Sequence, residues 1–302
     1  MQFGISNFQV QSISEKVEYT LTENIRLSNV EKLWELGYDG EGMHIAVLDT
    51  GCDVNHKCLK DRIVETKNFV NGTDDVTDRN GHGTHVAGII AGNQCEGGIS
   101  GIAPKASLHI YKVLKDDGAG DPLHIIRAIE HAIEQKVDVI NMSLGGKEAL
   151  PVMKELIQKA IDNGISIVCA SGNDARGDSG DKDEINYPAY YRECISVGSV
   201  TKKQIASKFS NSNFNVDLVA YGSDICSCYP NNKYATCSGT SQATPMVSGF
   251  LVLLKQKFMK EFGREPECES ELYAQLIKHT KTLKNVDRRV QGNGLIYFRE
   301  GE

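Results

Sequence analysis

Three separated strings carry an aspartate, a histidine and a serine, which are the residue types needed for acyl transfer. They are Asp-Thr-Gly beginning at Asp49, His-Gly-Thr-His beginning at His82, and Gly-Thr-Ser-Gln-Ala-Thr-Pro containing Ser241. Acyl transfer needs a hydroxyl nucleophile, an imidazole that takes and returns its proton, and a carboxylate that fixes the imidazole tautomer. Because the strings lie far apart in the chain, the fold must assemble them. We therefore predict Ser241 as nucleophile, His82 as general base and then acid, and Asp49 as the carboxylate that orients His82.

The Asp-Thr-Gly string is ambiguous by itself, since aspartic peptidases carry such a string around two carboxylates that share one proton. That mechanism needs a second aspartate in a matching context, after an apolar strand. The other similar string, Asp178-Ser179-Gly180, lies in a polar and acidic stretch. A lone serine near a helix start is usually only a helix cap. The complete string around Ser241 favours a nucleophile over a helix cap, and the lack of a second aspartate after an apolar strand disfavours the aspartic mechanism.

Apolar runs typical of buried strands alternate along the chain with stretches of helical period. The apolar runs are 43–48, 108–114, 137–143, 165–170 and 195–200, and helical period occurs in 85–91, 125–133 and 152–161. This alternation predicts an α/β fold with a mainly parallel central sheet and helices on both faces. In such sheets ligands bind beyond the carboxyl ends of the strands, where we expect Asp49, Ser143 and Asn173.

A nearly uncharged stretch, 243–256, predicts a buried helix that begins just after Ser241. Pro245 is expected in its first turn, where proline is tolerated because those N–H groups have no partner within the helix. The amino end of a helix carries a partial positive charge and free backbone donors. Both would face a serine nucleophile placed there.

The composition predicts a single acidic enzyme domain. The 302 residues, of which 40% are apolar, can bury one sizeable core, and no linker or repeat divides them. The net charge of −7 argues against a nucleic-acid or anionic-membrane partner, so we expect a polypeptide, while the oligomeric state stays open. We find no secretory signal and no apolar run of the ~20 residues that span a membrane. The odd number of nine cysteines fits reduced thiols, and we expect a cytoplasmic protein.

The motifs and their surroundings resemble the subtilisin family of serine peptidases (subtilases), and intracellular subtilisins in particular. The resemblance covers about residues 23–298. It rests on the three strings with their flanking residues and on segments 46–53, 80–88, 134–138, 273–277 and 292–295. It implies a subtilisin-like three-layer fold and a serine endopeptidase that needs no cofactor for its chemistry. We expect one catalytic domain over 18–302, preceded by an extension, 1–17, that is removable or regulatory.

The resemblance also implies how the oxyanion and the peptide are bound. Asn173 and the backbone N–H of Ser241 would donate to the oxyanion. An extended peptide would add as a strand between two chain edges, and Asn186 would lie near the base of the S1 pocket, where relatives usually carry a small residue. The substrate-binding residues implied in this way are Gly118, Ala119, Gly120, Ser143, Leu144, Gly145, Gly146, Ala170, Ser171, Gly172 and Asn186.

Cys58 and Cys95 fall where many subtilases provide ligands to a strong calcium site. Calcium takes oxygen ligands, so we expect that site to be lost. Structural calcium at another site stays open. Two interpretations are open: the cysteines pack as small apolar side chains, or they face each other and form a bond or bind a softer metal. We expect their Cα atoms within about 7 Å.

Three further cysteines, Cys226, Cys228 and Cys237, are expected to serve packing rather than zinc binding. A Cys-x-Cys pair needs two more well-placed ligands to hold zinc. Cys237 precedes Ser241 by four residues, so it is a candidate for the leaving-group side of the cleft, where it would make the enzyme sensitive to thiol reagents.

The expected function is a cytoplasmic endopeptidase in protein turnover or in selective maturation of a precursor, such as leader-peptide removal. The alternative is a catalytically silent subtilase-fold scaffold for binding or signalling, which the complete set of catalytic residues disfavours. Segment 174–184 carries five acids directly after the oxyanion asparagine. Its local field predicts a preference for substrates with Lys or Arg near the scissile bond.

Overall fold

The computed structural model describes residues 2–5, 8–17, 21–95, 97–175 and 183–301. In chain order the strands are β1 (Phe3–Gly4), β2 (Val10–Ser14), β3 (His44–Asp49), β4 (Ile63–Asn68), β5 (Ser107–Lys112), β6 (Ala119–Gly120), β7 (Val139–Met142), β8 (Ser166–Ala170), β9 (Ile195–Val200), β10 (Leu218–Tyr221), β11 (Ile225–Tyr229), β12 (Lys233–Cys237), β13 (Thr280–Lys281) and β14 (Leu295–Ile296). The helices are α1 (Glu23–Ser28), α2 (Glu31–Glu35), α3 (His82–Ala91), α4 (Pro122–Glu134), α5 (Pro151–Asp162), α6 (Thr240–Phe262), α7 (Glu269–Lys278) and α8 (Arg288–Gln291).

Nine strands form the central sheet, in the order β13-β14-β10-β9-β8-β7-β3-β5-β4. Within the described ranges, neighbouring strands run parallel except for β13 with β14. The strand order changes direction at β3, which pairs with β5 on one side and β7 on the other. A crevice opens at such a switch point beyond the carboxyl ends of the strands. The predicted mainly parallel sheet is confirmed, and Asp49 ends β3 in this crevice.

Side chains of the buried strands alternate between two apolar cores on opposite faces of the sheet. Ile45 and Val47 of β3 belong to the core shared with α3 and α6. Ala46 and Leu48 of the same strand belong to the core shared with α4 and α5. Successive side chains of a strand point to opposite faces, which produces this division. The predicted three layers, with helices on both faces, are therefore confirmed.

Helix α6 starts earlier than the sequence predicts. It begins at Thr240, so Ser241 is its second residue and Pro245 lies beyond the first turn. Proline there removes the N–H that would bond the Ser241 carbonyl. The hydroxyl of Ser143 donates to that carbonyl instead, at 3.0 Å. The expectation of a helix that begins after Ser241 with proline in its first turn is wrong, because a bond from another element supports the earlier start.

Two small sheets join the N-terminal segment to the rest of the domain. Strand β1 pairs antiparallel with β6, with Phe3 opposite Gly120 and Gly4 opposite Ala119. Strand β2 pairs antiparallel with β12, which forms a hairpin with β11. Helices long and apolar enough to cross a lipid bilayer are absent from the part of the chain that the structure describes.

Candidate active site

The predicted aspartate and histidine meet at the start of α3. His82 is the first residue of that helix, and its Nδ1 donates to Oδ1 of Asp49 at 2.8 Å. The backbone N–H of Thr50 donates to the same oxygen at 2.7 Å. Both side chains are only 1% exposed. With Nδ1 held by the carboxylate, Nε2 is left as the ring nitrogen that can accept a proton.

A buried carboxylate that the sequence analysis missed, Asp78, fixes the start of α3. Its Oδ1 accepts from the backbone N–H of Gly81 at 2.8 Å and from the hydroxyl of Thr50 at 2.9 Å. Its Oδ2 accepts from the N–H and the hydroxyl of Thr84 at 2.9 and 2.6 Å. The first N–H groups of a helix lack partners within the helix, and a carboxylate there also interacts well with the helix dipole. An acidic residue just ahead of a helix start is the signal that could have identified Asp78.

Ser241 and Ser143 hold the start of α6 against the end of β7. The Ser241 hydroxyl donates to the Ser143 carbonyl at 3.0 Å, and the Ser143 hydroxyl donates back to the Ser241 carbonyl at the same distance. To attack a carbonyl carbon, the Ser241 hydroxyl must turn from this partner to Nε2 of His82. Catalytic hydrogen bonds often become tight only when substrate is bound.

The side-chain nitrogen of Asn173 and the backbone nitrogen of Ser241 lie close to the same space beside Gly239. The side-chain oxygen of Asn173 accepts from the N–H and the hydroxyl of Thr240 at 2.8 and 2.9 Å, which fixes the amide plane. A Cβ built on Gly239 would lie 3.3 Å from Nδ2 of Asn173 and 3.6 Å from the backbone nitrogen of Ser241. Two nitrogen donors therefore border the same space. This arrangement can stabilise an oxyanion.

We expect Gly239→Ala to lower kcat by about 10²-fold or more, the range seen when one oxyanion donor is lost. The added methyl group would enter the space between the two donors and lie 2.7 Å from Oε1 of Gln242. The measurement is kcat on a fluorogenic peptide together with the unfolding temperature. Gly72→Ala, in the loop after β4, is the control for activity, because its Cβ would meet nothing within 4 Å; its φ of +75° adds only local backbone strain, which the unfolding temperature reports. Equal activity in the two variants would contradict this reading of the donors.

Asn186 joins the two walls of the predicted S1 pocket. The walls are the segment after β7 (Ser143, Leu144, Gly145 and Gly146) and the end of β8 with the residues that follow (Ala170, Ser171 and Gly172). Asn186 is 4% exposed, and its Nδ2 donates to the Ala170 carbonyl at 3.0 Å. A Cβ on Gly145 would overlap the amide of Asn186, and one on Gly172 would lie 3.1 Å from its Cβ. A buried polar amide therefore fills the space between the two walls.

The cleft between the predicted peptide-binding edges holds the N-terminal segment of the chain itself. Gly4 and Gly145 exchange two backbone hydrogen bonds of 2.9 Å, and the N–H of Ile5 donates to the Gly118 carbonyl at 3.2 Å. Phe3 is 1% exposed and packs into the apolar core that α4 and α5 share. Residues 2–5 thus lie as an added strand between 118–120 and 145–146, in the manner of a bound peptide.

The N-terminal segment continues past the triad on its other side. The ring of Phe8 stands edge-on to that of His82, with centroids 4.8 Å apart. Further along, Nε2 of Gln11 donates to Oδ1 of Asp224 and to the hydroxyl of Ser238, at 3.0 and 3.1 Å. Residues 6 and 7 lie outside the described residues. The described residues thus place the segment in the cleft at 2–5 and against the His82 ring at Phe8.

Two other side chains near the triad are held in unreactive forms. Burial lowers the pKa of His85 to about 3, so its neutral ring can donate through Nε2, which lies 3.1 Å from the carbonyls of Ile225 and Ala235. Burial also raises the pKa of the Cys237 thiol to about 12. A protonated thiol is a poor nucleophile. The expectation that Cys237 makes the enzyme sensitive to thiol reagents is therefore not supported.

The acids of segment 174–184 that the structure describes are paired. Asp174 forms an ion pair with Lys147 at 2.5 Å, and Asp183 forms one with Arg289 at 2.8 Å. Glu184 accepts from the backbone N–H of Ser212. The two other acids of the segment, Asp178 and Asp181, lie outside the described residues. These pairs reduce the negative field on which the expected preference for basic substrates depends.

Cys58 and Cys95 form a disulfide, and their Cα atoms are 5.2 Å apart. This distance lies inside the limit of about 7 Å expected from the sequence. Cys58 belongs to the loop after β3, which carries Asp49, and Cys95 follows α3, which carries His82. The bond ties these two loops together at the position where the family resemblance places calcium ligands.

Comparison with known proteins places the chain in one family. A model of the Subtilase family matches residues 40–294. The chain is 45% identical over 299 residues to the "Major intracellular serine protease" of Bacillus subtilis (strain 168), covering 97% of this chain and 91% of the relative. It is 51% identical over 266 residues to the "Intracellular serine protease" of Paenibacillus polymyxa, covering 86% and 80%. It is 38% identical over 239 residues to "Subtilisin DY" of Bacillus licheniformis, covering 79% and 86%. The chain therefore belongs to the subtilase family and is a serine endopeptidase.

Proposed function

We propose that this protein cleaves peptide bonds through an acyl-enzyme formed on Ser241. The observation that carries the proposal is the Asp49–His82 hydrogen bond at the same cleft as the two donors beside Gly239. His82 takes the Ser241 proton through Nε2 and then gives it to the leaving amine. Asn173 and the Ser241 N–H stabilise the oxyanion of each tetrahedral intermediate. The second half of the reaction uses water in place of the amine.

The proposed mechanism uses only groups of the chain and needs no cofactor. Asp49 holds the imidazole in the correct tautomer and stabilises its charged form. Asp78 acts through position alone, by holding the start of α3 so that His82 meets Asp49. Any structural calcium would take no part in this mechanism. We still predict that the strong calcium site usual in the family is lost in this chain.

We propose further that residues 1–17 are a regulatory extension of a catalytic domain that spans 18–302. What supports this is the path of the described residues 2–5 and 8–17 through the cleft. A peptide substrate needs the same backbone partners, Gly118 and Gly145, and access to His82. An enzyme restrained in this way could exist in a cytoplasm without degrading its surroundings, which agrees with the intracellular names of the two relatives above.

For the biological role, we favour selective maturation of a precursor peptide over general protein turnover. The fixed amide of Asn186 at the base of the S1 pocket limits the size of an apolar P1 side chain and offers hydrogen-bonding groups to a polar one. A pocket built for polar groups rejects an analogue that lacks them, because its buried groups are left unpaired. This argues for a narrow set of cleavage sites.

The test of this role is a cleavage-site profile on a peptide library derived from a proteome, with a form of the enzyme that lacks residues 1–17. We expect the sites to concentrate on a few P1 side chains, mainly polar ones. The Asn186→Gly variant should accept large apolar P1 side chains, since it opens the base of the pocket. A broad profile that is the same in both enzymes would contradict selective maturation and favour turnover.

A further inference from the structure

A cluster of sulfur and imidazole groups lies near the end of α3 opposite His82. Ligand atoms of His56, Cys58 and Cys228 all lie within 4.8 Å of one another, and each of these residues is fully buried. Cys95, which is bonded to Cys58, lies outside this group in the disulfide form and places a third sulfur beside it. The four residues come from the loop after β3, the loop after α3 and strand β11. The catalytic mechanism uses none of them.

The imidazole of His56 is oriented as in a metal site. Its Nε2 donates to the carbonyl of Lys233 at 3.0 Å, and its Nδ1 accepts from the backbone N–H of Cys58 at 3.2 Å. Histidines that bind metals usually donate their other N–H to a carbonyl or carboxylate, which fixes the tautomer. The lone pair of Nδ1 therefore lies on the side of the cysteines. Metal binding would replace the longer of its two hydrogen bonds.

The surroundings of the sulfurs also fit a ligand cluster. The hydroxyl of Tyr234 lies 3.3 Å from Sγ of Cys58 and 3.9 Å from Sγ of Cys95, so it can donate a hydrogen bond to a thiolate. A Cβ on Gly98 would overlap both sulfurs and lie 2.8 Å from that hydroxyl. The absence of a side chain at position 98 thus leaves the space that the sulfurs occupy.

We propose that Cys58, Cys95, Cys228 and His56 bind a soft divalent metal ion such as Zn²⁺ when the Cys58–Cys95 disulfide is reduced. Two thiols of a reductant break the S–S bond, leave as their own disulfide and give two cysteine thiols. Each of the three cysteines then releases one proton as its sulfur bonds the metal, and His56 supplies the fourth ligand through Nδ1. A closed set of three cysteines and one histidine is typical of structural zinc sites.

This set selects against calcium, which takes oxygen ligands, and for ions that prefer thiolate and imidazole. This proposal revises the expectation that Cys228 serves packing: its partners come from the loops after β3 and α3, and Cys226 of the Cys-x-Cys pair takes no part. A disulfide joins only the two loops beside α3. The metal would join those loops to β11 as well, and so to the hairpin on which β2 of the N-terminal segment pairs.

The test is titration of the reduced, metal-free full-length protein with Co²⁺, which reports its ligands by absorption. The protein is reduced with a trialkylphosphine, which takes oxygen from water as its oxide and leaves no competing thiol. We expect one equivalent of Co²⁺ to give sulfur-to-metal charge-transfer absorption and the visible bands of a tetrahedral site, and Zn²⁺ to displace it. The oxidised protein should show neither. Absence of charge-transfer absorption in the reduced wild type would overturn the proposal without any variant.

Two variants on the same strand sharpen the result. Cys228→Ala removes one proposed ligand and should weaken Zn²⁺ binding by at least the ~10–100-fold that loss of a second-shell partner costs. Cys226→Ala removes a thiol two residues away that lies outside the cluster, and it should bind Zn²⁺ like the wild type. Equal affinities in the two variants would show that Cys228 is not a ligand. Zn²⁺ should also raise the unfolding temperature of the reduced wild type by more than that of Cys228→Ala.

Discussion

We expect Ser241→Ala to remove peptide hydrolysis almost completely, because the one atom lost is the nucleophile of the proposed mechanism. Subtilisin, a relative of this chain, loses on the order of 10⁶ in kcat when its triad serine is removed. We expect a loss of the same order here. The residual rate should come from the oxyanion donors, Asn173 and the N–H of residue 241, which the substitution leaves in place.

The same substitution should leave the fold intact. The Ser241 hydroxyl makes one hydrogen bond, to the carbonyl of Ser143, and a typical bond of this kind contributes about 1 kcal/mol to the free energy of unfolding. The reciprocal bond from the Ser143 hydroxyl to the backbone of residue 241 does not depend on the side chain. The unfolding temperature should therefore fall by a few degrees at most.

The measurement is kcat on a fluorogenic peptide, with both forms lacking residues 1–17 so that the cleft is open. Ser248→Ala is the matched control, because it removes a buried hydroxyl from the same helix that bonds Asn141 rather than the triad. It should keep its activity. Hydrolysis by Ser241→Ala at the rate of the Ser248→Ala control would rule out Ser241 as the nucleophile.

The parts of this structure that sequence could predict are those set by local pattern. The apolar run that ends at Asp49 forms a strand because its side chains are buried on both faces, as is usual in parallel sheets. The period of 125–133 likewise predicts the buried face of α4. Once the strands are parallel, their carboxyl ends must meet at one edge, which brings Asp49 and the segments after β7 and β8 together.

The parts that sequence missed depend on contacts between distant segments. The early start of α6 requires the Ser143 hydroxyl to satisfy the carbonyl that Pro245 leaves without a partner, and no local pattern reveals that bond. Asp78 also acts through Thr50, which lies on another loop. The proximity of Cys228 to Cys58 requires knowing where the β11–β12 hairpin packs. In each case the decisive partner is remote in the chain.

The N-terminal segment also contacts parts of the chain that are remote in sequence, namely β6, Gly145 and β12. Its removal should activate the enzyme. A variant without residues 1–17 exposes the edges at Gly118 and Gly145 that a substrate must pair with. Fully burying a side chain like that of Phe3 contributes roughly 1.5–3 kcal/mol, and each backbone hydrogen bond adds about 0.5–1.5 kcal/mol. Together they can hold the cleft closed in all but a small fraction of molecules. We expect kcat/KM for a short peptide to rise by about 10²-fold, since each 1.4 kcal/mol corresponds to a tenfold change.

Substitutions in the full-length chain separate the contacts that produce this restraint. Phe3→Ala should raise kcat/KM by about tenfold, because it removes the buried anchor and leaves the chain length unchanged. Ile13→Ala is the matched control, since that side chain on β2 is 53% exposed and lies away from the triad. It should leave kcat/KM unchanged. Mass spectrometry of each preparation must show an intact N-terminus, because an enzyme that cleaves its own extension would mask the difference.

A synthetic peptide with the sequence of residues 1–17 provides the final check. It should inhibit the truncated enzyme competitively, and the Phe3→Ala version of the peptide should inhibit more weakly, because both would bind where the substrate binds. Removal of the segment also deprives β12 of its partner β2, so the unfolding temperature of the truncated enzyme must be measured beside its activity. If truncation and Phe3→Ala both leave kcat/KM unchanged in folded protein, the segment does not restrain the enzyme, and its path through the cleft has another purpose.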